Sequence, residues 1–149
     1  FCETSAKRSN ITSKQCEKNG AVVPSNMTID TNIVIAYLAG EQSVAETIIS
    51  WRKEGVPLFL SSVVESEVLS FSLLTDKELL LTEQFLEENF TPIPFDRTLA
   101  RLAAEIRRTT KMKFPDAAIA ATAFFTHSPV VTRNTGDFKR IRGLGVITI

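Results

Sequence analysis

The sequence predicts a three-layer α/β/α sandwich whose central parallel sheet has about five short strands. With 149 residues, the chain is long enough for one domain with a hydrophobic core, and its apolar fraction of 44% is typical of globular proteins. From Met27 onward, short apolar runs alternate with longer amphipathic segments. Strands that alternate with helices pair in parallel through right-handed crossovers, so helices cover the sheet.

Each strand is predicted where a short apolar run is bounded by turn or capping residues. These runs are Met27–Ile29, 57–60, Thr91–Ile93, 129–132 and 146–149. Helices are predicted at 31–39, 42–54, 63–71, 75–89, 96–110 and 114–125, with a helical turn at 137–140. Gly55 ends the second helix, and Ser61 or Ser62 caps the third. Thr75 with Glu78 forms a capping-box pattern at the start of the fourth.

Residues 1–26 are polar and aperiodic, so we expect an N-terminal extension, either disordered or non-native, before a domain at residues 27–149. Both cysteines, Cys2 and Cys16, lie in this extension. A cysteine-free body is typical of a reducing cytosol and predicts a cytoplasmic location. No apolar stretch approaches the length of a membrane span, and no signal-peptide core is present, so we expect no membrane association.

Charge is unevenly distributed along a chain whose net charge is zero. Residues 41–105 contain twelve acids and five bases, whereas residues 107–142 contain eight bases and two acids. The basic region is compatible with a local phosphate contact, although any single base there is readily explained as a solvated helix end. Lys111, Lys113 and Arg133 are candidate guides for phosphate groups.

Four acidic residues are predicted to lie at the carboxyl edge of the sheet, where open parallel sheets bind ligands. Asp30 directly follows the first strand, and Glu67 lies about one turn into the helix after the second. Asp116 lies in the first turn of its helix, and Asp137 follows the fourth strand. The last three each have an ordinary explanation as helix-end or solvated acids. Asp30 needs a partner or a metal, because burying an unpaired carboxylate is costly.

The other reactive residues exclude several enzyme classes. His127 is the only histidine, which excludes two-histidine catalysis and argues against a Ser-His-Asp triad. Neither GxxxxGK[ST] nor GxGxxG occurs, and no Cys/His spacing suits zinc. Clustered carboxylates without histidine suit a hard cation with oxygen ligands, Mg²⁺ or Mn²⁺. Such a metal activates water and stabilises in-line displacement at a phosphodiester.

Four segments resemble the motifs of the PIN-domain family of ribonucleases. In chain order they read IDTNI from Ile29, SSVVESEV from Ser61, PDAAIAATA from Pro115 and VTRNTGDF from Val131. The matches are in the family's order with its typical spacing, and residues 143–149 resemble its closing strand. The short single-domain form is most similar to the VapC toxins of type II toxin–antitoxin pairs.

The resemblance implies a Mg²⁺- or Mn²⁺-dependent endoribonuclease that hydrolyses single-stranded RNA and leaves a 5′-phosphate and a 3′-hydroxyl. It implies Asp30, Glu67 and Asp116 as catalytic metal ligands. The fourth ligand stays open, because the family places an acid at the position of either Asn134 or Asp137. We assign the carboxylate role to Asp137 and an orienting or water-mediated role to Asn134.

The resemblance also implies contacts with substrate and partners. Thr31, Asn32, Arg133 and Asn134 are predicted to bind the RNA. A VapB-like antitoxin is expected to place its C-terminal tail in the groove, with a homodimer formed through helices beside the sheet and a heterotetramer or larger assembly with the antitoxin. The identity of the RNA is not predicted.

Three other protein classes share part of this pattern. A haloacid-dehalogenase-like phosphatase needs Asp-x-Asp after the first strand, and Asn32 stands at the second position. A response-regulator receiver needs an adjacent acid pair and a late-strand lysine, and neither is evident. A catalytically silent PIN-like module that binds RNA or protein is the main alternative, which the presence of all four acids disfavours.

Overall fold

The computed structural model describes residues 24–149 and, before them, the backbone of two short strands, Glu17–Lys18 (β1) and Ala21–Val22 (β2). These two strands pair antiparallel. The sequence did not indicate this pairing, because a two-residue strand is too short for alternation to register. The prediction that the N-terminal extension is disordered or non-native falls on residues 1–16, 19, 20 and 23, which lie outside the described residues.

Five parallel strands form the main sheet, and the predicted α/β fold class is confirmed. They are Met27–Ile29 (β3), Leu58–Ser61 (β4), Thr91–Ile93 (β5), Val130–Val131 (β6) and Val146–Ile147 (β7), in the order β5-β4-β3-β6-β7. The helices are Thr31–Leu38 (α1), Gln42–Lys53 (α2), Ser62–Leu69 (α3), Asp76–Asn89 (α4), Arg97–Thr110 (α5), Phe114–Phe125 (α6) and Thr135–Phe138 (α7). The last of these replaces the turn predicted at 137–140. No helix in the described part of the chain is long and apolar enough to span a membrane.

Helix ends agree with the capping signals of the sequence. The Ser61 hydroxyl accepts a hydrogen bond from the Val63 N–H at 3.3 Å, which decides between the two candidate serines. Thr75 and Glu78 form the predicted capping box. Capping of this kind satisfies backbone N–H groups that the first helical turn leaves without partners.

The order of the strands reverses beside β3. The chain adds β4 and β5 on one side of β3, then crosses over to add β6 and β7 on the other. In open parallel sheets, the crevice at such a switch point is where ligands bind. The register pairs Ile29 with Val131, so the next residues, Asp30 and Thr132, emerge side by side at the carboxyl edge.

Helix α6 packs on the sheet through small side chains. Ala117, Ala118, Ala120 and Ala121 are all fully buried, and α6 contacts β3, β4 and β6. Small residues let the helix approach the strands closely. Because α6 begins at the carboxyl edge, this packing brings Asp116, in its first turn, to the switch point.

Candidate active site

Asp30 is a buried carboxylate held by three hydrogen bonds at the end of β3. Its side chain is only 4% exposed. Oδ1 accepts from the Thr31 N–H at 2.6 Å, and Oδ2 accepts from Asn32 Nδ2 at 2.6 Å and from Thr132 Oγ1 at 2.5 Å. Burial raises the pKa of Asp30 above its usual value, while these three bonds favour the ionised form and act against that rise. Asp30 therefore has the partners that its burial requires.

Thr132 is a site residue that the sequence analysis missed. Its side chain is fully buried at the end of β6, where its hydroxyl donates to Asp30. The same oxygen accepts from Asn32 Nδ2 at 3.2 Å and from the Asn134 N–H at 2.9 Å. Thr132 lies within the TRNTGDF segment, but its contact with Asp30 depends on β3 and β6 being neighbours, which local sequence does not reveal. It fixes Asp30 relative to the loop after β6.

We expect Thr132→Val to destabilise the protein by about 1–3 kcal/mol, because it leaves the Asn134 N–H without a partner and removes one of the two hydrogen bonds to Oδ2 of buried Asp30. The loss should be larger at neutral than at acidic pH, since the missing bond stabilises the ionised carboxylate. Urea unfolding at both pH values measures this. Thr132→Ser, which keeps the hydroxyl, should retain the pH dependence of the wild type. Equal stability of Thr132→Val and the wild type would contradict the role given to this hydroxyl.

Thr31 connects Asp30 to Glu67. Its N–H donates to Asp30 Oδ1, and its hydroxyl donates to Glu67 Oε2 at 2.6 Å. Glu67 lies in the second turn of α3 and is partly exposed. The helix that follows β4 is thereby joined to the residue that follows β3. The orientation of the Glu67 carboxylate is set by α1.

The pKa of Asp116 indicates that the acids lie close together. Its side chain is partly buried, and desolvation raises its pKa above the usual value. The charges of Asp30, Asp137 and Glu67 raise it further, whereas Lys113 acts in the opposite direction. Like charges raise a carboxyl pKa only when they lie close by. The structure thus brings the four predicted acids to one edge of the sheet.

The four acids do not stand in a preformed chelating arrangement. Across residues 24–149, no three His, Cys, Asp or Glu side chains are grouped closely enough to hold a metal ion. The raised pKa of Asp116 is compatible with the lack of a preformed chelating group. Charge repulsion acts over several ångströms, whereas Mg²⁺ needs oxygens at about 2.1 Å. Small side-chain movements toward a shared cation would relieve the repulsion at Asp116. Oxygen-rich and histidine-free, the donor set fits a hard divalent cation.

Asp137 and Asn134 share one corner of the site. Asn134 Nδ2 lies 3.4 Å from Asp137 Oδ2, and Arg140 Nη1 lies 3.8 Å from the other oxygen, Asp137 Oδ1. Asp137 adds to the rise in the pKa of Asp116, so its charge lies near that acid. This arrangement agrees with an orienting role for the Asn134 amide.

Arg133 lies at the rim of the site in an ion pair that the sequence did not predict. Its guanidinium binds Glu41, next to the first residue of α2, with Nη1 to Oε2 at 3.0 Å and Nη2 to Oε1. This contact lowers the pKa of the exposed Glu41 carboxyl. The Arg133 N–H donates to Asn32 Oδ1 at 3.2 Å. Because 92 residues separate Glu41 from Arg133, no local pattern signals the pair.

The comparisons with known proteins agree with this geometry. A family model described as the PIN domain matches residues 27–144, so the chain belongs to the PIN-domain family. Its relatives place it, within that family, with the VapC ribonucleases. Ribonuclease VapC1 of Rickettsia felis is 30% identical over 133 residues, and ribonuclease VapC of Rickettsia bellii is 29% identical. Each match covers 83% of this chain and 96% of the relative.

Solved structures give the same result. A chain in a toxin–antitoxin complex from Klebsiella pneumoniae is 29% identical with a TM-score of 0.69, covering 82% of this chain and 96% of that one. A chain of the VapBC2 complex from Rickettsia felis, bound to a promoter DNA fragment, is 20% identical with a TM-score of 0.71. That match covers 83% of this chain and 98% of the other, and it supports the fold alone. The prediction of a VapC-like PIN-domain nuclease is confirmed.

Proposed function

We propose that this chain cleaves RNA endonucleolytically with Mg²⁺ or Mn²⁺ held by Asp30, Glu67, Asp116 and Asp137, and that it is the toxin of a toxin–antitoxin pair. The observation that carries the proposal is the placement of these acids at one edge of the sheet, where Thr31 bonds to both Asp30 and Glu67. Three neighbouring acids add to the effect of burial in raising the pKa of Asp116, and such mutual repulsion favours binding of a cation. The family and the ribonuclease relatives support the reaction class. Dependence on metal ions is general among these nucleases.

When bound, the metal supplies Lewis-acid activation of water and of the scissile phosphate. The chain's own residues hold the ligands in place. Thr31 orients Glu67, and the three hydrogen bonds to Asp30 hold that carboxylate in place and favour its ionised form against the effect of burial. Asn134 orients Asp137. Hydrogen bonds of this kind limit how far the carboxylates must reorganise when the metal binds.

The four predicted substrate-binding residues divide into two groups. The Thr31 hydroxyl and the Asn32 amide are engaged with acids of the site, so we assign them mainly to positioning. Arg133 and Asn134 are exposed at the rim and remain proposed contacts for RNA phosphates. Lys111 and Lys113 are exposed beside the start of α6 and are proposed as further phosphate guides.

An antitoxin partner is supported by the toxin–antitoxin complexes among the similar structures. We propose that it docks in an open groove of about 560 Å³ between α1, α3 and α4, which has Glu67 on its wall. Exposed apolar side chains line this groove, among them Ile35, Leu38, Phe71 and Leu81. A VapB-like partner bound there would cover Glu67. A homodimer, a heterotetramer with the antitoxin and a cytoplasmic location also belong to this proposal.

The direct test is cleavage of a pool of single-stranded RNA by antitoxin-free protein. We expect cleavage with Mg²⁺ or Mn²⁺, no cleavage with EDTA, and restoration when the metal is returned. Sequencing the fragment ends identifies the target and checks for a 5′-phosphate. Absence of cleavage with either metal, by protein that is folded, would contradict the proposal.

One observation favours the alternative of a silent RNA-binding module, namely that no three ligands in the described residues stand ready to chelate. The two functions differ in one measurement. A silent module binds RNA with the same affinity in Mg²⁺ and in EDTA and leaves it intact. A nuclease cleaves it only when the metal is present.

Arg133→Gln should weaken RNA binding and lower the slope of log affinity against log salt concentration by about 0.7, the value for one phosphate contact to a single strand. Fluorescence anisotropy in EDTA measures binding without cleavage. Glu41→Gln is the matched control, because it removes the partner of Arg133 and keeps the guanidinium. It should bind RNA at least as tightly as the wild type. An unchanged salt slope in Arg133→Gln would exclude the phosphate contact.

A further inference from the structure

An aromatic pair stands at the same edge of the sheet as the acids and is not used by the chemistry described above. Phe95 follows β5, and Phe114 is the first residue of α6. Their ring centroids are 5.5 Å apart at an interplanar angle of 89°, an edge-to-face contact. Phe114 is 43% exposed although its ring is held on one side by Phe95.

The support beneath Phe114 is well defined. The Phe95 N–H donates to Ser62 Oγ at 2.9 Å, which ties the residue after β5 to the first residue of α3. Asp96 then caps α5 by accepting from the Leu99 N–H at 3.0 Å. Phe95 is therefore anchored from both sides. A ring packed against it loses little freedom when a ligand binds.

The surroundings of Phe114 are those of a nucleic-acid contact. Asp116 is two residues further along α6, so both residues lie in its first turn, on different sides of the helix. Lys113 directly precedes Phe114 and, like Lys111, is exposed. Within residues 24–149, neither lysine lies at ion-pair distance from an acid. An aromatic ring that follows exposed lysines without ion-pair partners is the combination by which proteins bind single-stranded nucleic acid.

A protein-docking role would predict an apolar patch around Phe114. The other large apolar side chains exposed in the described residues lie elsewhere, on α1, α2, α4 and the connection between α3 and α4, or at the far end of α6. Among the exposed large apolar side chains of the described residues, Phe114 is therefore the one that lies at the start of α6. A single supported ring beside two lysines fits a base better than it fits a protein surface.

We propose that Phe114, supported by Phe95 and flanked by Lys113, stacks on an RNA base next to the scissile phosphate. The inference rests on the proposed ribonuclease function and adds to it a base-binding subsite. Stacking on a ring tolerates every base, so this subsite gives affinity and position along the strand. Phe114 is a substrate-binding residue and takes no part in the chemical step.

The test asks whether removing the RNA base and removing the Phe114 ring weaken binding through the same contact. Oligoribonucleotides that contain the mapped cleavage site, intact or with one abasic nucleotide beside it, are bound to the protein in EDTA and followed by anisotropy. Wild type should lose about 5- to 150-fold in affinity for the RNA that lacks the stacked base. Phe114→Leu should bind the intact RNA more weakly by a similar factor and should no longer distinguish the two RNAs. Phe114→Trp should restore the distinction.

Phe125→Leu is the matched control, since Phe125 is 53% exposed at the opposite end of the same helix. It should distinguish the two RNAs as the wild type does, and thermal melting should show every variant folded. In cleavage assays Phe114→Leu should raise KM with little change in kcat.

Equal affinities of Phe114→Leu and wild type for both RNAs would overturn the subsite while leaving RNA cleavage intact. A change in the mass of the assembly with unchanged RNA affinity would overturn it as well, in favour of a protein contact. Failure of the wild type to cleave RNA with either metal contradicts the proposed function itself, and the subsite then falls with it.

Discussion

Asp30→Asn and Asp116→Asn should each reduce kcat/KM for RNA cleavage by about 10³-fold, because each removes one charged ligand of the proposed cation and about 4 kcal/mol of transition-state stabilisation. The two residues should act as one unit. The double variant, with both Asp30→Asn and Asp116→Asn, should then cleave at most about tenfold more slowly than either single variant. Initial rates on a labelled oligoribonucleotide at saturating Mg²⁺ measure all three.

Matched controls separate lost ligands from lost structure. Glu65→Gln removes an acid on the same helix as Glu67, two residues away, and should retain near wild-type activity. Glu67→Gln should lose activity like the other ligand variants. Asp137→Asn and Asn134→Asp compare the two residues of the fourth corner. If Asp137→Asn cleaves as fast as the wild type, the fourth ligand has been placed on the wrong residue.

The elements of the site were predictable where the local pattern determines them. Asp30 follows a buried apolar run, and Asp116 follows a proline that favours the start of a helix, so both fall at helix N-termini on the carboxyl side of the sheet. Their positions in the sequence therefore predict their positions in the fold. Glu67 follows from the same reasoning, once β4 and α3 are placed.

Contacts between distant elements were not predictable in this way. The hydrogen bond from Thr132 to Asp30 requires β6 to pair with β3, and a strand pattern does not specify the order of strands in a sheet. The ion pair of Arg133 with Glu41 requires α2 to begin beside the loop after β6. The sequence alone assigned Arg133 to phosphate only. The ion pair with Glu41 restricts how freely the Arg133 guanidinium reaches RNA.

Burial of Asp116, together with repulsion from the neighbouring acids, links the chemistry of the site to the stability of the fold. The pKa of Asp116 is raised in the folded protein, so between its unfolded and folded pKa values the folded state binds more protons. Metal-free protein should therefore lose stability as the pH rises through that window, and at neutral pH the charge of Asp116 remains a cost. A carboxylate whose pKa is lowered by folding stabilises the folded state at neutral pH, and Asp116 has the opposite effect.

A divalent cation should remove that cost. We expect Mg²⁺ at about 100 times its dissociation constant to stabilise the wild type by about 2.7 kcal/mol, a rise in Tm of roughly 5–10 °C. Asp116→Asn should melt above the wild type in EDTA, because it lacks a partly buried charge that neighbouring acids repel, and should respond little to Mg²⁺. Calorimetry at neutral pH, with and without Mg²⁺, measures both.

Asp76→Asn is the control for this experiment, since Asp76 lies in the exposed first turn of α4, outside the acid group. It should keep the full response to Mg²⁺. A wild-type Tm that is independent of Mg²⁺ and Mn²⁺ would contradict the metal site. A wild type that responds while Asp116→Asn responds equally would keep the metal and exclude Asp116 as its ligand. Since none of these measurements requires cleavage, they test the site independently of the RNA that it cuts.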